Sequence, residues 1–136
     1  MIIVLDASAA MEVALNKEYG KQFKELLKKS EIVIAPDTFP SEITNSFWKY
    51  SFYSELSPDK CEKGIEYCLD LVDDYINTRT LCREVFSESI KRGHPAYDLF
   101  YLVLARRNNA SILTRDKKMK KIANEMKINV IGKKDV

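Results

Sequence analysis

A chain of 136 residues, 46% hydrophobic and 31% charged, is sized for one domain spanning 1–136 with one sizeable core, and its mixed charge reads as globular and soluble. The 22 basic and 20 acidic side chains leave a net charge of +2, and the absence of any apolar run of roughly 18 residues speaks against a membrane span or a membrane partner. The opening Met-Ile-Ile-Val-Leu-Asp lacks the basic start and long apolar stretch of a signal peptide, so a cytoplasmic protein is expected. Cys61, Cys68 and Cys82 are odd in number and form no C-x-x-C pair, and His94 is the lone histidine, which speaks against the close ligand spacing of a zinc site. Cys61 and Cys68 share a helical face and read as buried thiols.

Ile2–Leu5 is a short apolar run ending at Asp6, the pattern of a buried strand, and Ala7 to about Leu15 follows as helix. Phe23, Leu26 and Leu27 have helical spacing in a helix predicted over Lys17–Lys29, and Ile32–Ala35 is a second buried strand closed by Pro36. Helix resumes after Thr38, tolerates Pro40 in its first turn and runs to about Tyr53. Ser57-Pro58 opens the next helix as cap and first residue, with Ile65, Leu69, Val72 and Ile76 as its apolar stripe. Asn77–Leu81 is a strand candidate, and Glu84–Lys91 a short helix ended by Gly93. Ala96–Arg107 is a strongly apolar helix, Ser111–Thr114 a strand, Lys117–Met126 a helix and Ile128–Ile131 a last strand. Strands that alternate with helices, several of them apolar throughout, predict a three-layer α/β/α sandwich around a mainly parallel sheet of about five strands.

In such a sheet, ligands bind outside the carboxyl ends of the strands, where strand order reverses. Asp6 directly follows the first strand, and Asp116 lies two residues past Ser111–Thr114. Glu42 stands in the first turns of the helix after the second strand, and Asp98 in the first turn of the apolar helix. Each acid alone is explained by helix capping. Four at one edge repel one another unless a cation neutralises them, and an all-oxygen donor set favours Mg²⁺ or Mn²⁺. If the four share a pocket, the remaining surface is net basic, which suits action on a polyanion.

Four segments in order, IIVLDASA at 2–9, PSEITN at 40–45, AYDLFYLVLA at 96–105 and SILTRDKKM at 111–119, resemble the PIN-domain endoribonucleases, most of all the VapC-type toxins of prokaryotic toxin–antitoxin pairs. The resemblance spans nearly the whole chain. It implies that Asp6, Glu42, Asp98 and Asp116 are the catalytic, metal-binding acids of an Mg²⁺-dependent endoribonuclease in which Mn²⁺ substitutes. It further implies that Ser8, Asn45 and Thr114 support them, and that cleavage leaves 5′-phosphate and 3′-hydroxyl ends. The partners it implies are an RNA substrate and a cognate antitoxin. The chain departs from the family in carrying Lys117, Lys118 and Lys120 where some relatives place a further acid, and Leu99 where the residue is often small.

Arg115, Lys117, Lys118, Lys120 and Lys121 lie beside Asp116 and are candidates to grip RNA phosphates, or form a solvated helix face. In FWKYSFY at 47–53, Phe47 and Tyr50 continue a core stripe from Ile43. Trp48, Phe52 and Tyr53 fall off it and point to a homodimer interface or partner groove rather than base stacking. His94 has no identifiable catalytic partner in the sequence. A receiver domain needs paired acids after the first strand, and a haloacid-dehalogenase-type phosphatase needs D-x-D where Ser8 stands. No P-loop motif occurs. The remaining alternatives are a housekeeping RNA-processing nuclease and a degenerate PIN module that only binds protein or RNA.

Overall fold

The computed structural model describes residues 1–132. In chain order they form β1 (Ile2–Leu5), α1 (Ala7–Ala14), α2 (Gly20–Lys29), β2 (Ile32–Pro36), α3 (Phe39–Tyr53), α4 (Pro58–Asp70), β3 (Asp74–Ile76), a 3₁₀ turn at Thr78–Thr80, α5 (Cys82–Arg92), α6 (Ala96–Arg107), β4 (Ser111–Leu113) and α7 (Lys117–Glu125). The four strands are parallel in the order β3-β2-β1-β4. The three-layer α/β/α sandwich predicted from the alternating elements is therefore present.

Ile3, Val4 and Leu5 of β1 are fully buried, which fits a strand covered on both faces. α6 lies against β1, β2 and β4 with α5 and α7 beside it, while α1 packs with α2, α3 and α4. α6 buries Leu99 and every residue from Tyr101 to Ala105, so it is apolar nearly all round because it is a core element. Ion pairs lock its neighbours to it. Arg106 reaches Glu84 at 2.6 Å and Glu88 at 2.8 Å, Arg107 reaches Glu84 at 2.8 Å, and Arg92 joins Glu88 at 2.9 Å to Glu125 at 3.2 Å. α5, α6 and α7 are thereby held together at their polar rims.

Four details differ from the sequence reading. The predicted last strand, Ile128–Ile131, contributes only a single parallel bridge between Ile112 and Val130. Left-handed turns at Lys127 (φ 61°) and Gly132 (φ 65°) bound the segment and keep a fifth strand from extending. The strand candidate Asn77–Leu81 is the 3₁₀ turn, because the Asn77 side chain accepts the Arg79 N–H at 2.9 Å and competes with sheet pairing; the strand lies just before it. The second helix starts at Gly20 rather than Lys17, after a turn through Asn16 at φ 53°. α4 ends at Asp70, so Val72 and Ile76 of its expected stripe lie beyond it, Ile76 in β3, and Cys61 and Cys68 are its fully buried face.

The Ser57 cap is formed as expected, accepting the Lys60 N–H at 3.2 Å. Gly93 closes α5 at φ 60°, a conformation glycine adopts without strain, and the turn delivers His94 to the start of α6.

Candidate active site

The site begins with the register of the sheet. β2 lies on one side of β1 and β4 on the other, so strand order reverses between β1 and β4, and a crevice opens at their carboxyl ends. Leu5 pairs with Leu113, and the Asp6 N–H continues the ladder to the Leu113 carbonyl at 3.2 Å. Asp6 and Thr114 are therefore side by side at the crevice floor.

Asp6 is only 4% exposed, and both its oxygens are engaged. Oδ1 accepts the Ala9 N–H at 2.9 Å and the Ser8 hydroxyl at 2.8 Å, and Oδ2 accepts the Thr114 hydroxyl at 2.5 Å. Thr114 Oγ1 in turn accepts the Asp116 N–H at 3.0 Å, and Ser8 Oγ accepts the Arg115 N–H at 2.9 Å. Two hydroxyls thus fasten the loop that carries Asp116 to the carboxylate of Asp6. Asp116 caps α7, its Oδ1 accepting the Lys118 and Met119 N–H groups at 2.8 and 3.1 Å.

Glu42 comes from the first turn of α3 and Asp98 from the first turn of α6. Between them stands Tyr101, one turn beyond Asp98 and buried. Its hydroxyl is directed at Glu42 without completing a hydrogen bond, and it is the one buried side-chain polar atom among the described residues that lacks a partner. Asp98 Oδ2 is 3.0 Å from His94 Nε2. Asn45 sits one turn further along α3, exposed.

The electrostatics show how tightly these groups are coupled. Burial pushes Asp6 up to about 6, against the hydrogen bonds from Thr114, Ala9 and Ser8, and the charge of Asp116 adds to the rise. Burial likewise pushes Glu42 up to about 6, opposed by the Tyr101 and Thr38 hydroxyls and reinforced by Asp6 and Asp98. Burial, then Glu42, Asp6 and Asp98, hold the Tyr101 phenol far above its usual value. None of the four acids has a Lys or Arg ion-pair partner among the described residues. As placed, no three acid, histidine or cysteine side chains among the described residues are grouped to hold a metal ion.

The basic residues separate into two sets. The Arg115 guanidinium lies 4.3 Å over the Tyr19 ring and 3.6 Å from buried Glu12, whose other oxygen accepts the Tyr19 N–H at 2.8 Å. Arg115 is therefore committed to joining α1 and the turn before α2 to the Asp116 loop. Lys118 and Lys121 instead line a cleft of about 320 Å³ with Arg92, His94, Ile122 and Glu125. Lys117 is exposed and Lys120 half-buried.

Tyr101 was not singled out by sequence, and His94 read there as a histidine without a catalytic partner. Their signal was spacing: Tyr101 lies three residues after Asp98 on one helix face, and His94 four before it. Both were masked by an apolar run and by the Gly-His-Pro turn.

The family model described as PIN domain matches residues 3–125. Ribonuclease VapC3 of Pyrobaculum aerophilum is 23% identical over 124 residues, covering 88% of this chain and 92% of that protein. The crystal structure of PAE2754 from Pyrobaculum aerophilum superposes with a TM-score of 0.70 at 16% identity, covering 93% of this chain and 98% of the other. VapBC2 from Rickettsia felis, bound to a DNA fragment from their promoter, matches at 0.66 and 17% identity, over 96% and 97% of the chains.

The raised acids set a pH dependence of stability. A carboxyl whose folded value is raised binds its proton more tightly in the folded state. Its contribution is fully present below the unfolded value near 4 and is lost as pH rises through about 6. Glu84 and Glu88 act oppositely: burial raises them, but the hydrogen bonds and charge of Arg106 prevail and hold them low, so their contribution is lost at acid pH. Comparing wild type with Glu42→Gln cancels these. The variant is expected to gain on wild type by about 1 kcal/mol between pH 4.5 and 7.5, allowing for partial exposure of Glu42. Urea denaturation at the two pH values measures it, and a constant difference would show that Glu42 is not raised.

Proposed function

The chain belongs to the PIN-domain family, and from that premise we propose that it is a divalent-metal-dependent endoribonuclease, of the VapC toxin type, that hydrolyses RNA phosphodiester bonds with Asp6, Glu42, Asp98 and Asp116. What supports this reading is that four acids, none with a Lys or Arg ion-pair partner among the described residues, stand charge-coupled near the strand-order reversal, two of them raised to about 6.

The donor chemistry fits Mg²⁺ or Mn²⁺: four carboxylates and no sulfur. The mutual repulsion of the acids is what a cation would relieve. Asp6, Asp98 and Asp116 would hold it, with Glu42 adjoining. Because no three are grouped for ligation as placed, binding would require side-chain adjustment, and Glu42 and Asp98 are half-buried. When bound, the ion supplies Lewis-acid activation of the scissile phosphate and the attacking water.

The chain's own residues do the rest. Ser8 and Thr114 fix the rotamer of Asp6 and tie Asp116 to it. Glu42, raised toward neutrality beside a buried hydroxyl, is suited to take a proton from water and return it. His94 orients the Asp98 carboxylate. Asn45, exposed on α3 one turn from Glu42, is placed to meet the substrate.

RNA is the substrate in this reading, and a cognate antitoxin is the restraining partner. A small DNA-binding protein encoded immediately upstream would decide for the toxin over a housekeeping nuclease. A homodimer is proposed on the α3 aromatics. Trp48, Phe52 and Tyr53 are 54, 65 and 70% exposed and pack together, Trp48 and Phe52 stacked at 5.4 Å between ring centres and Tyr53 edge-on to both. Light scattering at micromolar concentration is expected to give twice the 15.7 kDa chain mass, and the chain mass for Phe52→Lys; a monomeric wild type contradicts the interface.

The catalytic test is cleavage of single-stranded RNA. Activity is expected to require Mg²⁺, to vanish with chelator, and to fall about a hundredfold or more in Asp98→Asn with unchanged circular dichroism. Wild-type inactivity with every divalent ion would leave the degenerate binding module, and full activity of the folded variant would remove Asp98 from the site.

A further inference from the structure

Of the cleft lined by Arg92, His94, Lys118, Lys121, Ile122 and Glu125, the chemistry above uses only His94, yet the cleft adjoins the acids on both walls. On one wall, His94 contacts Asp98 at 3.0 Å. On the other, the Lys118 N–H donates to the Asp116 carboxylate at 2.8 Å. We propose that this cleft is a phosphate-binding subsite for the RNA strand, holding a backbone phosphate that flanks the one at the acid edge. The inference rests on the nuclease reading and deepens it.

The charge in the cleft is unbalanced. Arg92 is matched, being paired with Glu88 at 2.9 Å and Glu125 at 3.2 Å. Lys118 and Lys121 have no ion-pair partner among the described residues. They are three apart on α7 and so lie on one face, where like charges repel and an anion relieves the repulsion. The remaining lining is the Ile122 side chain and the His94 ring, a surface on which a ribose can rest. At about 320 Å³ the space suits one sugar-phosphate unit rather than a folded segment.

Continuity with the acid edge selects a nucleic-acid strand over an acidic peptide. A strand carrying one phosphate per nucleotide, with its scissile group beside Asp98 and Asp116, enters this cleft wherever it passes over His94 or the start of α7. Arg92 is oriented by its two glutamates and bridges α5 to α7, so the walls are held at fixed separation before any ligand arrives. That preorganisation lowers the ordering cost of binding.

The test reads binding separately from cleavage. A short fluorescent single-stranded RNA of mixed sequence is titrated in chelating buffer, where no hydrolysis occurs, against wild type, a Lys118→Gln/Lys121→Gln variant and a Lys28→Gln/Lys29→Gln control. The control lysines end α2 at the opposite edge of the sheet. The cleft variant is expected to bind about tenfold more weakly at low salt, and the magnitude of its slope of log affinity against log salt to fall by about 1 to 1.5, with the thermal midpoint unchanged. The control is expected to match wild type. Equal losses in both variants would mean diffuse charge and overturn the subsite, as would no loss in either. An acidic peptide of equal charge that binds as tightly as RNA, and loses as much on substitution, would reassign the cleft to a protein partner. Failure of wild type to cleave RNA in Mg²⁺ would strike the nuclease reading alone and leave this result standing.

Discussion

The carboxylate of Asp6 is buried at the floor of the sheet edge and held by three donors from two chain segments more than 100 residues apart. Its cost is considerable, since a buried carboxylate loses its hydration, and the three hydrogen bonds do not fully restore it, as its value near 6 shows. Everything around it follows from that constraint. Thr114 must end β4 in register with β1 to reach Oδ2, Ser8 must open α1 to reach Oδ1, and the same two hydroxyls then receive the backbone of Arg115 and Asp116. A capping interaction that stabilises α1 is also what fixes the geometry of the site.

The second constraint lies on α6. Tyr101 is part of the apolar surface that packs the helix on the sheet, and its hydroxyl is left facing Glu42 without a hydrogen-bond partner. A fold that optimised stability alone would place an apolar ring there. Together with Glu42, raised by burial and by the charges of Asp6 and Asp98, it makes this edge a place of unfavourable interactions, while the Arg–Glu ion pairs are concentrated on α5, α6 and α7. Sites that strain local rules amid a consistent scaffold are where function is expected.

Much of the molecule was legible in sequence. The alternation of apolar strands and helices, the Ser57-Pro58 cap, the helix over Ala96–Arg107 and the positions of Asp6, Glu42 and Asp116 after their strands all rest on local signals that packing did not override. What was not legible depended on tertiary contacts or on left-handed turns. Ile128–Ile131 has the composition of a strand, but turns at Lys127 and Gly132 limit it to one bridge. Arg115 read as a surface cation beside an acid, while its stacking on Tyr19 and approach to Glu12 join segments about a hundred residues apart in sequence. His94 read as partnerless because its partner is reached only through the turn at Gly93.

The central claim of the proposed function is that Asp6 and Glu42, raised by burial and then by neighbouring charge (Asp116 for Asp6, Asp6 and Asp98 for Glu42), receive a divalent cation. Carbon-13 NMR titration of the side-chain carboxyls, with and without Mg²⁺, tests it most directly. Without metal, both resonances are expected to titrate near pH 6, and with saturating Mg²⁺ both should move to well below 4, because a bound cation favours the ionised forms. Midpoints near 4 in metal-free protein, or midpoints near 6 that Mg²⁺ leaves in place, would contradict the account.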